Sequence, residues 1–161
     1  MSHGEVARPP RFLAHVRVRF HDVDALGHVN NAAYLTYLEQ AAIDHAALAG
    51  FDLTRMRELG GLFIARRHEL DFLKPAYERD LLQIETWIEA ARGARAIRRY
   101  EMRRLGDGGR AAVPPDRLVA ADEPQAAGES ILSGRTEWVY VDPAGRPRRM
   151  PAELLAWFRP D

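Results

Sequence analysis

The chain has 161 residues, 47% of them apolar and 29% charged, with no cysteine. This is enough for one domain with a core, and it excludes disulfides, thiolate metal sites and a cysteine nucleophile. Lys and Arg number 23, as do Asp and Glu, which argues against a general nucleic-acid surface and lowers one barrier to self-association.

No apolar run is long enough to span a bilayer, and "MSHGEVARPP" lacks the apolar segment of a secretory signal. A cytoplasmic protein without membrane or nucleic-acid partners is expected. Residues 1–10 read as a loose lead-in to a single domain over 1–161.

Val16, Val18 and Phe20 alternate with Arg17 and Arg19, the pattern of a half-buried strand. A polar loop, Asp22 to Asn30, follows. From Asn31 to about Leu48 the period is helical, with Asn30 or Asn31 as cap and Gly50 as stop. On a helical wheel Thr36, Glu39, Gln40 and Asp44 share an arc of roughly 140°, opposite Tyr34, Leu38, Ala41, His45 and Leu48. The helix is rich in alanine, which suits a sheet packed close around it. After Gly60-Gly61 a strand is expected through Leu62, Ile64, Leu70 and Phe72, ended by Lys74-Pro75. A third strand alternates from Leu82 to Glu89, a fourth runs from Arg95 to Leu105, and a fifth from Ser133 to Asp142. Residues 106–130, rich in Gly, Pro and Ala without clear period, read as an extended loop. Pro151 to Trp157 reads as a short helix with proline at its first position. Helix and strands segregate along the chain, so the class is α+β with a mainly antiparallel sheet.

The loop "FHDVDALGHVNNAAY" holds the densest polar chemistry. It starts like a calcium loop at Asp22 and Asp24, but Leu26 and Ala33 stand where oxygen ligands belong. An Asp-x-Asp phosphoryl-transfer site would follow a fully buried parallel strand, and this strand alternates with arginine. His21, Asp22, Asp24 and His28 match no common metal spacing, so no metal is expected. The fourth reading is a carboxylate beside a helix start. Free N–H groups there can hold an oxyanion, and the carboxylate can attack a carbonyl or activate water. Against it stands the plain role of Asp as a turn residue.

Three segments, "RVRFHDVDALGHVNNAAYLTYLEQA", "HELDFLKPAYERDLLQIETWI" and "RTEWVYVDPAGRPRRMP", resemble in order the 4-hydroxybenzoyl-CoA thioesterase family of hotdog-fold proteins. The resemblance implies a five-stranded antiparallel sheet wrapped around one long central helix, assembled as a homodimer or homotetramer. It implies hydrolysis of acyl-CoA, or of acyl-ACP, with CoA entering only as part of the substrate and no other cofactor. Asp24 matches the family's catalytic aspartate. Asn31 falls where a helix-start N–H is expected to polarise the thioester carbonyl. Gly27-His28-Val29-Asn30-Asn31 is similar to the run in long-chain acyl-CoA and plant acyl-ACP thioesterases, which gives His28 a catalytic part. Arg92 and Arg95 stand at the basic turn where CoA phosphates are expected. Gly27, Tyr34 and Glu39 are placed as substrate contacts. Asp22 is expected to shape the loop, and His45 to sit in the core.

Two departures stand out. Residues 106–130 exceed the family's usual hairpin, and Leu26 replaces a polar residue of the plant enzymes. Two other functions share the fold. One is hydration or dehydration of acyl thioesters, whose Asp-x-Asn-Pro-x-His arrangement is absent. The other is acyl-CoA binding without turnover.

Overall fold

The computed structural model describes residues 11–106, 111–120, 122–125 and 127–158; the lead-in expected over residues 1–10 lies outside them. Strands β1 (Arg11–Arg17), β2 (Leu62–Phe72), β3 (Leu81–Arg92), β4 (Arg95–Leu105), β5 (Arg117–Val119) and β6 (Glu129–Val141) form one antiparallel sheet in the order β2-β6-β4-β3-β1-β5. Helix α1 (Asn31–Leu48) packs on it, followed by α2 (Leu53–Glu58) and, near the C-terminus, α3 (Ala152–Phe158). One long helix against a curled antiparallel sheet is the hotdog architecture that the resemblance implies.

The inward residues of β3 and β4 follow strict alternation: Leu82, Ile84, Thr86 and Ile88 on one, Ala96, Arg98, Tyr100 and Met102 on the other, all buried. Leu82, Ile84, Tyr100 and Met102 meet Tyr34, Leu38 and Ala41 of α1 in the main core, while Ile88 and Ala96 join a second cluster with Met56, Leu154 and Phe158. Register shifts at Ala65/Arg67, Ile88/Ala90 and Met102/Arg103 bend the strands, and such bulges add the twist that lets a sheet curl around a helix.

Four expectations change. β1 ends at Arg17, because its ladder to β3 ends where β3 begins, at Leu81. Phe20 instead opens a 3-10 turn (Phe20–Asp22) and is 78% exposed. Leu48, the last residue of α1, is exposed rather than on the buried face. Residues 106–130 are not loop throughout. β5 pairs with β1 and gives the sheet a sixth strand. The residues around β5 also cover the outer face of β1 and β3. Asp116 accepts from the N–H of His15 at 2.9 Å, Arg11 donates to the carbonyls of Ala120 and Glu123, and Arg17 donates to that of Ala111. Gln83 and Glu85, polar on a face expected to meet water, are therefore buried. Glu85 pairs with Arg11 there, and Gln83 meets His15 Nε2 at 3.0 Å.

Candidate active site

The polar loop is a short ladder closed on itself. The N–H of Asn30 donates to Asp22 O at 2.8 Å, Val23 and Val29 form a bridge, and the N–H of Asp24 donates to His28 O at 2.8 Å. The turn between the two limbs closes with Gly27 N–H on Asp24 O at 2.9 Å. Gly27 has φ +77, a conformation that side chains disfavour. Outside the turn the ladder is anchored to the Pro75-Ala76-Tyr77 segment. Val29 donates to Ala76 O at 2.8 Å, and His28 bridges to Tyr77, whose ring it meets edge-on at 5.3 Å.

This folding fixes both carboxylates. Asp24 Oδ1 accepts from the N–H of Leu26 at 2.8 Å and of His28 at 3.3 Å. Its Oδ2 makes no hydrogen bond among the described residues, and the residue is exposed. Asp22 is the loop's internal brace, as expected. It accepts from Arg19 N–H at 3.1 Å and from the Tyr37 hydroxyl at 2.7 Å. Burial first, and then this bond, push the Tyr37 phenol above its ordinary pKa, so it stays a donor.

Helix α1 starts directly from the ladder. Asn30 is the cap, its side chain accepting from Ala32 N–H at 2.8 Å. The N–H groups of Ala33 and Tyr34 turn back to Asn30 O. Asn31 is left exposed, and among the described residues its N–H has no acceptor. A helix start with a free N–H can take an anionic oxygen. Asp22 lies across the ladder from Asn30, and Asp24 is two residues further on, about 7 Å along extended backbone.

The remaining candidates divide. Glu39 is half-exposed on α1, with Oε1 3.7 Å from His68 Nε2, and it lines a cavity further along the helix. Tyr34 is not at the surface. It is 3% exposed, packs on Phe72 and Tyr37, and its hydroxyl accepts from Ala76 N–H at 3.2 Å. It stands on the buried face of α1, and its ring packs in the main core. Arg92 and Arg95 pair across the tip of the β3–β4 hairpin, while the loop is anchored near the opposite end of β3, where Val18 N–H donates to Asp80 O at 3.0 Å. A full strand separates them, so one chain does not bring these arginines to Asp24. Arg95 turns instead toward Glu137 at 3.5 Å.

The sequence reading missed the group beside the loop. Arg104 lies over the Tyr77 ring at 5.9 Å, donates to Pro75 O at 3.1 Å and pairs with Asp80 and Glu129, while Lys74 meets Glu129 at 2.5 Å. It also missed Arg98, 3% exposed on the core face of β4. Strand alternation points Arg98 inward beside Ala96 and Tyr100, and that signal was available. Among the described residues no group of three or more His, Asp or Glu is arranged to hold a metal ion, and no helix is long and apolar enough to cross a membrane.

Comparison with known proteins agrees with this fold. The Escherichia coli acyl-CoA thioester hydrolase YbgC (strain CFT073) is 26% identical over 145 residues, covering 89% of this chain and 92% of that one. A putative esterase of Aquifex aeolicus is 27% identical over 78 residues, 48% of this chain and 61% of the relative. Among solved structures, a probable thioesterase from Bartonella henselae superposes with TM-score 0.66 at 23% identity, covering 86% of this chain and 98% of the other. The 1,4-dihydroxy-2-naphthoyl-CoA thioesterase Slr0204 from Synechocystis superposes with TM-score 0.69 at 17% identity, covering 92% and 95%. The family model described as the thioesterase-like superfamily matches residues 18–158. With the fold, the loop and this match together, the chain belongs to the thioesterase-like superfamily.

Proposed function

We propose that the chain hydrolyses acyl-CoA thioesters, with Asp24 and the first turn of α1 as its working parts. The observation that supports this most directly is the pairing of an exposed carboxylate, held by loop amides, with an acceptor-free N–H on Asn31 at the helix start. In this reading the thioester oxygen sits on the Asn31 N–H, where developing negative charge is stabilised. One preorganised donor of this kind is worth about 3–4 kcal/mol. Asp24 then acts by one of two routes. Its free oxygen attacks the thioester carbon, forming an anhydride that water opens, or it removes a proton from water as that water attacks. Either way the carbon–sulfur bond breaks and CoA leaves as the thiol. In the general-base route the water oxygen enters the acid, whereas in the anhydride route water attacks the Asp24 carboxyl carbon, leaving its oxygen on Asp24 and an aspartate oxygen in the acid. His28 serves chiefly by position: its main-chain N–H steadies Asp24, and its ring rests on Tyr77. Gly27 permits the turn that presents the carboxylate.

The relative YbgC, an acyl-CoA thioester hydrolase, favours CoA over a protein carrier. The solved neighbours named for naphthoyl-CoA and gentisyl-CoA make aromatic acyl groups natural members of a test panel. Hydrolysis of this kind draws only on water and the chain's own groups. A homodimer accords with β2, which among the described residues pairs with β6 alone and leaves its other edge open, with Ile64 and Phe72 exposed.

The test is thiol release over a panel of aromatic, short-chain and long-chain acyl-CoAs, run beside Asp24→Asn. Asparagine keeps an oxygen for the Leu26 and His28 amides, so the loop is expected to hold while activity falls about a hundredfold or more. Equal rates would remove Asp24 from the mechanism. A single turnover in heavy-oxygen water separates the two routes, since only the anhydride route leaves label in Asp24. Acyl-CoA binding without thiol release from the parent protein would favour the non-catalytic reading, and loss of enoyl-CoA absorbance would favour hydration.

A further inference from the structure

A cavity of about 350 Å³ lies between α1, α2, α3 and the sheet. Its volume falls within the range of small-molecule sites. Phe51, Met56, Phe63 and Trp157 dominate its wall. None of the lining residues belongs to the loop of Asp24. On α1 the lining runs from Glu39 to Ala46, about 12 to 22 Å along the helix axis from Asn31 at 1.5 Å per residue.

One cation is set into this apolar wall. Arg98 lines the cavity and is almost wholly buried. Its Nη1 donates to His45 Nδ1 at 3.0 Å and to Thr86 Oγ1 at 3.1 Å. Neither partner carries negative charge. Among the described residues no carboxylate pairs with Arg98, and its Nη2 and Nε have no acceptor. Glu39, the one acid on the cavity wall, is half-exposed and stands 3.7 Å from His68. His45 adds no anion. Burial, and then Arg98, push its pKa down to about 3, so the ring is neutral. With Nδ1 accepting, its proton is on Nε2, which is buried without a partner. Arginine keeps its proton in proteins, and a buried charge without a counter-charge is strongly unfavourable. Beside Arg98 the place therefore presents donors and hydrocarbon, and no carboxylate is paired with the guanidinium among the described residues.

We propose that this cavity binds an amphipathic acid, with its carboxylate on the Arg98 guanidinium and its apolar body against Phe51, Met56, Phe63 and Trp157. The acid has two possible sources: the remote end of an acyl group whose thioester lies at Asn31, or a free carboxylic acid. The first rests on the proposed hydrolysis; the binding itself does not.

Octanoate and octan-1-ol serve as probes, followed by calorimetry and by emission of the cavity tryptophans Trp138 and Trp157. A charged hydrogen-bonded contact predicts that the parent binds octanoate about tenfold to a hundredfold more tightly than the alcohol. Arg98→Met, which replaces an uncompensated charge with an apolar chain of similar length, is expected to fold and to bind the two alike. Ile43→Trp narrows the half-exposed rim while leaving Arg98 in place, and is expected to weaken both. This second variant decides the matter should Arg98→Met fail to fold. Equal binding of acid and alcohol by the parent, retention of the preference in Arg98→Met, or full binding in Ile43→Trp each overturns the proposal. Asp24→Asn is expected to bind octanoate like the parent even after losing turnover, so this inference and the hydrolytic one fail separately. The source is then assigned by kcat/KM for a dicarboxylyl-CoA against the monocarboxylyl-CoA of equal length. A preference of about tenfold, abolished in Arg98→Met, assigns the acyl group; equal values alongside octanoate binding assign a free acid.

Discussion

The hydroxyl of Tyr37 donates to Asp22 Oδ2 at 2.7 Å, tying the second turn of α1 to the loop that lies before it. This bond links the helix and the catalytic candidate by a route the main chain does not supply. Tyr37→Phe removes the donor and leaves a partly buried carboxylate oxygen with only the Arg19 N–H. The expected cost is about 1–2 kcal/mol in chemical denaturation. The expected kinetic effect is a lower kcat with little change in KM, since a loosened Asp22 lets Asp24 drift from the helix start.

Gly27→Ala tests the turn itself. At φ +77 an added methyl group meets no neighbouring atom within 4 Å, so the penalty is purely one of backbone conformation. About 1 kcal/mol of stability is expected to be lost, read from the urea midpoint. Activity is expected to suffer more than stability, because Asp24 and His28 flank the turn. A variant with parent kinetics would show that the loop tolerates another path.

Acid sensitivity has a specific source in His45. Its ordinary pKa of 6.5 is lowered to about 3 in the fold, by burial and then by Arg98. Above pH 6.5 neither folded nor unfolded chain is protonated there, and stability is unaffected. Below it the unfolded chain takes up a proton that the fold refuses. Stability is thus lost from about pH 6.5 down to about pH 3, at up to about 1.4 kcal/mol per unit. His45→Gln keeps an acceptor for Arg98 and cannot titrate. Urea unfolding at several pH values is expected to show the variant gaining on the parent as pH falls; parallel curves would place the sensitivity elsewhere. His15, also lowered chiefly by burial, remains in both proteins.

Association is expected to run through β2. Ile64 and Leu73 are each about half exposed at that side of the sheet. Lysine at both positions places charge at an edge that would otherwise accept a strand. Sedimentation is expected to move from dimer to monomer, and an unchanged dimer would put the interface on another face.

Much of the fold was legible because periodicity is a direct image of burial. The bounds of α1 follow from its cap at Asn30 and the left-handed Gly50. β3 follows from alternation between Leu82 and Glu89, and β4 from alternation between Arg95 and Met102. Short elements carry too few residues to show a period: β5 has three and α2 has six. The buried outer face of Gln83 and Glu85 was hidden for another reason. Polar side chains there read as solvent-facing, and only the returning segment near Asp116 reveals their partners. At the site, the geometry of Gly27, His28 and Asn30 could be anticipated from turn and cap chemistry. The core position of Tyr34 was readable from the wheel. The distance from Asp24 to Arg92 and Arg95 depends on strand length and direction, which sequence spacing does not state.

The three-residue strand β5 lies along β1 and hems one margin of the sheet. The opposite margin, β2, is long and among the described residues unpaired on its outer side. A ribbon finished on one side can join a copy of itself only on the other, and two such copies use up both bare margins at once. Strand addition through β2 is therefore expected to end in a closed pair related by a twofold axis, with only the short β5 left at each outer margin.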